Sequence, residues 1–232
     1  MVRGERTGMR KRIIAVLGDH WHDPAVSGEA LRLAVREAEP LLQTAIEIEI
    51  VPAEQLASRL SDNPDAVVMY KEDRINPLDE AVRTWMTPET AEAITDYVRG
   101  GGSWLAWHSG MAGYDPEGEY VRMLRGYFEH HPDMKMVTYI EADSPQQADS
   151  GKVLAELWDE HYFVWCDAQA TKVWLVAVSA DGRSEAGWRH GYGQGKVSCL
   201  TPAHPKESLA DPAFIRLLAG ELAGLLRDQL RD

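Results

Sequence analysis

Gly100-Gly101-Gly102-Ser103-Trp104-Leu105-Ala106-Trp107-His108-Ser109-Gly110 is the stretch that decides the fold. Three glycines stop an amphipathic helix, an apolar run follows with no linker, and the run ends in a histidine beside two small residues. Helix, buried strand and tight turn in that order build an elbow, which pushes one side chain up into a pocket. The hydrolase form G-x-S-x-G is absent, because Ser109 stands in the context Trp107-His108-Ser109-Gly110-Met111. His108 is the residue such a turn presents. As the neighbour of Ser109 in sequence, it is badly placed to act as that hydroxyl's base.

On the amino-terminal side, short apolar runs alternate with amphipathic segments. Ile13 to Leu17 and Asp65 to Tyr70 read as strands buried on both faces, and Ile46, Ile48 and Ile50 alternate with glutamates as a half-buried strand. Ser27 is a candidate cap for a helix through Ala38 that Pro40 would end, and Thr87-Pro88 opens a second helix burying Ala91, Ile94 and Val98. On the carboxyl-terminal side, Met134 to Ile140, Tyr162 to Cys166, Lys172 to Val178 and Lys196 to Leu200 read as strands. Asp211-Pro212 then caps a last helix with Phe214, Leu217, Leu218, Leu222, Leu225 and Leu226 on one stripe. The pattern predicts a doubly wound, mostly parallel sheet with antiparallel additions in the second half.

Size and charge narrow the function classes. A chain of 232 residues with net charge −13 has ample length for a core and lacks the basic surface that nucleic acid or an anionic membrane requires. Residues 1–12 reverse the sign with Arg3, Arg6, Arg10, Lys11 and Arg12, and read as a disordered basic lead-in. They lack the apolar core of a signal peptide, and no run approaches the ~20 apolar residues that span a bilayer. Cys166 and Cys199 are too few for a disulfide framework and fall in no zinc pattern. Both sit inside expected strands, so neither is read as a nucleophile. A reducing cytoplasm is the default compartment.

Histidines recur at strand exits. His20 and His22 follow Ile13 to Leu17, His108 follows Trp104 to Trp107, and His204 follows Val197 to Leu200. In an open parallel sheet the carboxyl ends of the strands line the ligand crevice, so these imidazoles are expected in one pocket. His20 and His22, two apart on an extended segment, would point the same way, as metal chelation or proton transfer to substrate hydroxyls requires. His130-His131-Pro132 precedes one strand and Asp159-Glu160-His161-Tyr162 opens another, so a carboxylate stands close to imidazoles it could orient. Gly191 to Gly195 carries G-x-G-x-G, but no helix follows, so it reads as a β-turn, not a nucleotide loop. Trp21, Trp107 and Trp188 flank these motifs and could offer faces to a sugar ring.

Taken together, the glycine run into His-Ser-Gly, Phe128 to Pro132, Asp159 to Tyr162 and Trp188 to Leu218 resemble the trehalose-utilisation (ThuA-like) family. The resemblance implies a flavodoxin-like fold of the class I glutamine-amidotransferase type, one ThuA-like domain over residues 13–232. It implies no amidotransferase activity, because His108 stands where that nucleophilic cysteine would be. Carried over motif by motif, it gives His22, His108, His131, Glu160 and His204 as the pocket set. The chain departs from the commoner family pattern at Ala203, where glycine usually stands, and in having His20 and His130.

The expectation is an enzyme of disaccharide or keto-sugar catabolism, a hydrolase or isomerase type working by histidine and carboxylate acid–base chemistry. His22, His108, Glu160 and His204 are the catalytic candidates, and His20, Trp21, Ser109, His131 and Tyr162 the substrate-binding ones. His22, His108 and His204 are also candidate ligands of a divalent metal, zinc before others, and no nucleotide cofactor is expected. The partner expected is a small-molecule carbohydrate, with self-association into a homo-oligomer left open. Two alternatives stand: a metal-independent serine hydrolase using Ser109, and a non-catalytic sugar-binding module.

Overall fold

The computed structural model describes residues 10–227. The first half runs β1 (Lys11–Leu17), α1 (Pro24–Leu42), β2 (Ile46–Ile50), α2 (Leu56–Leu60), β3 (Ala66–Tyr70), α3 (Pro88–Arg99), β4 (Ser103–Trp107) and α4 (Glu119–Leu124). The second half runs β5 (Gly126–His130), β6 (Lys135–Glu141), β7 (Lys152–Asp159), β8 (Phe163–Cys166), β9 (Lys172–Ser179), β10 (Gly182–Tyr192), β11 (Gly195–Leu200), α5 (Lys206–Leu209) and α6 (Pro212–Leu226). Nine strands form one mixed α/β sheet in the order β2-β1-β3-β4-β11-β10-β9-β6-β7, and β5 pairs with β8 in a separate ribbon. Strands β2, β1, β3, β4 and β11 are parallel, and from β11 onward every neighbour is antiparallel.

Alternation along the central strands feeds two cores. Ile13, Ala15, Val68 and Leu105 pack with α1 and α6 on one face; Ile14, Val16, Val67 and Trp104 pack with α2, α3 and α4 on the other. Both faces are therefore covered, which is why these strands read as continuous apolar runs. Strand β3 pairs in parallel with β1 on one side and β4 on the other. The chain leaves β1 toward β2 on one side and β3 on the other. Their carboxyl ends thus flank the crevice where this class of sheet binds ligands.

Several local expectations are corrected. Helix α1 begins at Pro24 with Asp23 as its cap, not at Ser27, and it continues through Pro40 to Leu42. Ser27 is buried inside it and hydrogen-bonds the Asp23 carbonyl at 3.1 Å. The basic lead-in expected over residues 1–12 falls mostly on residues 1–9, outside the described residues. Lys11 and Arg12 belong to β1, where the Asp65 carboxylate meets Lys11 Nζ at 3.1 Å and accepts from the Arg12 amide at 2.8 Å. His130 closes a strand of its own, β5, ahead of the one it was expected to precede, and Asp159 ends β7 instead of opening a strand. The β-turn read at Gly191 to Gly195 is the hairpin that joins β10 to β11. No helix among the described residues is long and apolar enough to cross a membrane.

Candidate active site

The elbow at the end of β4 forms as the sequence suggested. His108 takes φ 47°, in the left-handed region that non-glycine residues rarely occupy, and opens a 3-10 turn through Met111. Gly110 makes the turn possible, because a Cβ there would come within 2.2 Å of the Met69 carbonyl oxygen. The His108 ring is fully buried, with Tyr162 stacked on it at 4.0 Å between centroids. Its Nδ1–H donates to the Thr201 carbonyl at 2.6 Å, which fixes the tautomer and leaves a lone pair on Nε2. That Nε2 is buried and has no hydrogen-bond partner. Burial, outweighing the nearby Glu160 carboxylate, drops the pKa of His108 to about 4.

His22 arrives from the β1 exit. Gly18, at φ 85°, turns the chain out of the strand, and a Cβ there would collide with the Pro24 ring. Residues 20–22 bend instead of extending, with the Asp19 amide donating to the His22 carbonyl at 3.1 Å. The expected common direction of His20 and His22 fails for that reason. His22 is buried, whereas His20 is exposed and rests edge-on against Trp21. His22 Nδ1 donates to Asp19 Oδ1 at 2.6 Å, and Asp19 also accepts from the amides of Trp21 at 2.9 Å and Glu72 at 2.8 Å. Burial alone would raise the Asp19 carboxyl, but the His22 hydrogen bond and charge and the two amides prevail and hold it at about 2.

His204, from the β11 exit, completes the group. Its Nδ1 lies 3.1 Å from His22 Nε2 and 3.3 Å from Glu160 Oε2, and its amide donates to Asp159 Oδ1 at 2.8 Å. Burial works against charge on His204, yet Glu160, Asp159 and Asp19 together raise its pKa. Glu160 sits centrally, with Oε2 also 3.5 Å from His108 Nε2 and Oε1 3.6 Å from His131 Nε2. Its burial is opposed by the His108 and His204 interactions, and the carboxyl ends well below its ordinary range. One step behind, Asp159 accepts from the Tyr139 hydroxyl at 2.8 Å, and burial raises its pKa to about 7.

Above this floor opens a cavity of about 410 Å³ lined by Trp21, His22, Glu72, Arg74, Ala112, Phe128, His131, Glu160, Tyr162 and His204. A volume of that size suits a small ligand. Of the sequence-based candidates, His22, His108, His204, Glu160, His131, Tyr162 and Trp21 come together here. His20 and Ser109 do not. Ser109 Oγ is fully buried, lacks any hydrogen-bond partner and does not line the cavity. Trp107 and Trp188 are core residues, with indole N–H groups donating to the Pro202 and Leu124 carbonyls, so only Trp21 of the three flanking tryptophans faces the ligand space.

Asp19, Glu72 and Arg74 were not singled out from sequence, and Phe128 and Asp159 stood in quoted motifs without a site role of their own. Glu72 and Arg74 form an ion pair at the cavity wall. Their signal was the charged run Lys71-Glu72-Asp73-Arg74 directly after a buried strand, the placement that marked the histidines.

The model of the family described as trehalose utilisation (ThuA) matches residues 22–223. The chain belongs to the ThuA family. Among solved structures it is similar to a protein described as ThuA-like from Parabacteroides merdae, with TM-score 0.68 at 14% identity over 97% of this chain and 93% of that one. A second such protein, from Bacteroides uniformis, gives 0.64 at 14% identity over 98% and 96%. A β-galactosidase from Rahnella sp. R3 gives 0.57 at 13% identity, and there 95% of this chain covers 32% of the enzyme. At these identities the likeness is one of fold. No curated protein matches the chain. The family's description, trehalose utilisation, points this ThuA-family protein toward sugar metabolism.

Proposed function

We propose that this ThuA-family protein is an enzyme that acts on a disaccharide or keto-sugar by acid–base chemistry at the cavity floor. The observation that carries the reading is Glu160. One carboxylate, held anionic, stands within 3.6 Å of three imidazoles on the floor of a ligand-sized cavity. Glu160, ionised and facing the cavity among the three imidazoles, takes the general-base role toward a hydroxyl or a carbon acid next to a carbonyl by its position, and regains basicity as bound substrate parts it from those rings. His204, whose pKa is raised, supplies the proton in return. Asp19 holds His22 in the tautomer that accepts from His204, and His108 stays neutral beneath them. Trp21 and Phe128 offer aromatic faces to the apolar side of a sugar ring, while Arg74, His131 and Tyr162 offer polar contacts at its rim.

The strand order 2-1-3-4 in the parallel half supports a flavodoxin-like arrangement of the amidotransferase type. A histidine at the elbow leaves no thiol there for glutamine hydrolysis. The free Cys166 and Cys199 accord with work in the cytoplasm. The test is turnover of a panel of disaccharides and keto-disaccharides followed by NMR. The wild type converts at least one of them, and His204→Ala abolishes that conversion. Tight binding across the panel with no conversion of any sugar would make the protein a sugar-binding module instead.

A further inference from the structure

The three strand-exit imidazoles have a geometry that acid–base chemistry alone does not require. Ligand nitrogens of His22, His108 and His204 all lie within 4.8 Å of one another. His22 Nε2 and His204 Nδ1 are 3.1 Å apart, and tetrahedral Zn–N bonds of 2.0–2.1 Å set neighbouring donors about 3.3 Å apart. Two of the rings are already oriented by outer partners. His22 gives its Nδ1–H to the Asp19 carboxylate and His108 gives its own to the Thr201 carbonyl, both at 2.6 Å, so each turns an Nε2 lone pair toward the cluster. Metal-ligating histidines are held by partners of these kinds.

His108 supplies the independent observation. Its Nε2 is fully buried and unpartnered, a costly state for a polar atom, and the nearest carboxylate oxygen is 3.5 Å away.

We propose that His22 Nε2, His108 Nε2 and His204 Nδ1 form a site for one divalent transition-metal ion, with the fourth position open to the cavity. The ion displaces the proton shared by His22 and His204, and His108 Nε2 closes in on it. Imidazole ligands favour zinc, cobalt or nickel over magnesium or calcium. Glu160 remains beside the open position, free to take a proton from a bound water or sugar hydroxyl. The inference rests on the acid–base reading only for what the ion does to substrate. There it takes over the electrophilic part that protonated His204 plays without it.

The test uses the full chain without a histidine tag, stripped with chelator and titrated with Zn²⁺ by calorimetry and with Co²⁺ by visible absorption. One ion per chain binds, Co²⁺ develops the intense bands of a low-symmetry nitrogen site, and His108→Ala abolishes both signals. Asp19→Asn, which keeps all three ligands, weakens binding about 10- to 100-fold. His20→Ala, outside the cluster, leaves it unchanged. Absence of stoichiometric binding by the folded wild type overturns the proposal, as does undiminished binding by both His108→Ala and Asp19→Asn. Sugar turnover by chelator-stripped protein that binds no ion would sink the metal site and leave the acid–base reading standing. Stoichiometric binding without turnover of any sugar would do the reverse.

Discussion

Replacing Asp19 by asparagine removes one charge from behind the His22 ring while keeping the shape of the side chain. Asp19 receives three hydrogen bonds, from the His22 ring and the amides of Trp21 and Glu72, and its side chain is 1% exposed. Its carboxyl is held at about 2, against an ordinary value of 3.8. A carboxyl depressed on folding contributes stability that is fully present above the unfolded value and lost as pH falls through the folded one. The window is therefore pH 4 down to 2, and at neutral pH the contribution is about 2 kcal/mol. Asparagine forfeits most of it, because a neutral amide accepts weaker hydrogen bonds. For a chain of this length the melting temperature should fall by roughly 4–8 °C at pH 7, with the gap to wild type closing as pH is lowered toward 2. Thermal and urea unfolding across pH measure this directly. Long-range ¹H–¹⁵N NMR of His22 should show the proton on Nδ1 in the wild type and lost preference for that tautomer in Asp19→Asn. Equal stability of the two proteins at pH 7, with an unchanged His22 tautomer, would refute the reasoning.

Other consequences are simpler to check. Ser109→Ala should leave sugar turnover within about twofold and fluorophosphonate probes should not label the wild type, because Ser109 Oγ is buried without a base; stoichiometric labelling at Ser109 would contradict this. His190 donates through Nε2 to the Met123 carbonyl and keeps Nδ1 buried without a partner, so burial lowers its pKa to about 4. The unfolded chain takes up that proton first as pH falls from 6.5 to 4. His190→Gln should therefore flatten acid destabilisation in that window, each unmatched proton being worth about 1.4 kcal/mol per pH unit, and an unchanged pH slope in denaturation would show otherwise. Burial pushes the Cys166 thiol up to about 12 and raises the Cys199 thiol well above its ordinary value, so alkylating reagents at pH 7 should leave turnover intact. Loss of activity on labelling either cysteine would count against that.

The sequence was most legible where burial imposes a pattern. Strands β1, β3 and β4 are covered on both faces and appear as unbroken apolar runs, and the Thr87 and Asp211 caps are visible because few residue types do that work. Strand β7 was missed because Lys-Val-Leu-Ala-Glu-Leu-Trp-Asp is built largely from helix formers, and only pairing with β6 makes it a strand. Strand β10 hides behind glycine and charge, since two neighbouring strands satisfy its backbone whatever its side chains are.

Within the site, the strand-exit rule found the imidazoles and the family resemblance added His131 and Glu160. Asp19 was not found and Asp159 entered only as part of the acidic segment before His161, because both owe their importance to what folding brings next to them. His20 misled for a related reason. The spacing of His20 and His22 implies one direction only if the backbone extends, and the Asp19–His22 turn prevents that.

The most direct test of the account is the effect of Glu160→Gln on whichever sugar the wild type converts. Glutamine preserves the volume and hydrogen-bonding reach of the side chain but cannot accept a proton. The account predicts a fall in kcat of about 10²- to 10⁴-fold with KM little changed, the signature of a lost general base. A kcat equal to that of the wild type would contradict it and would move the chemistry away from the histidine–carboxylate floor.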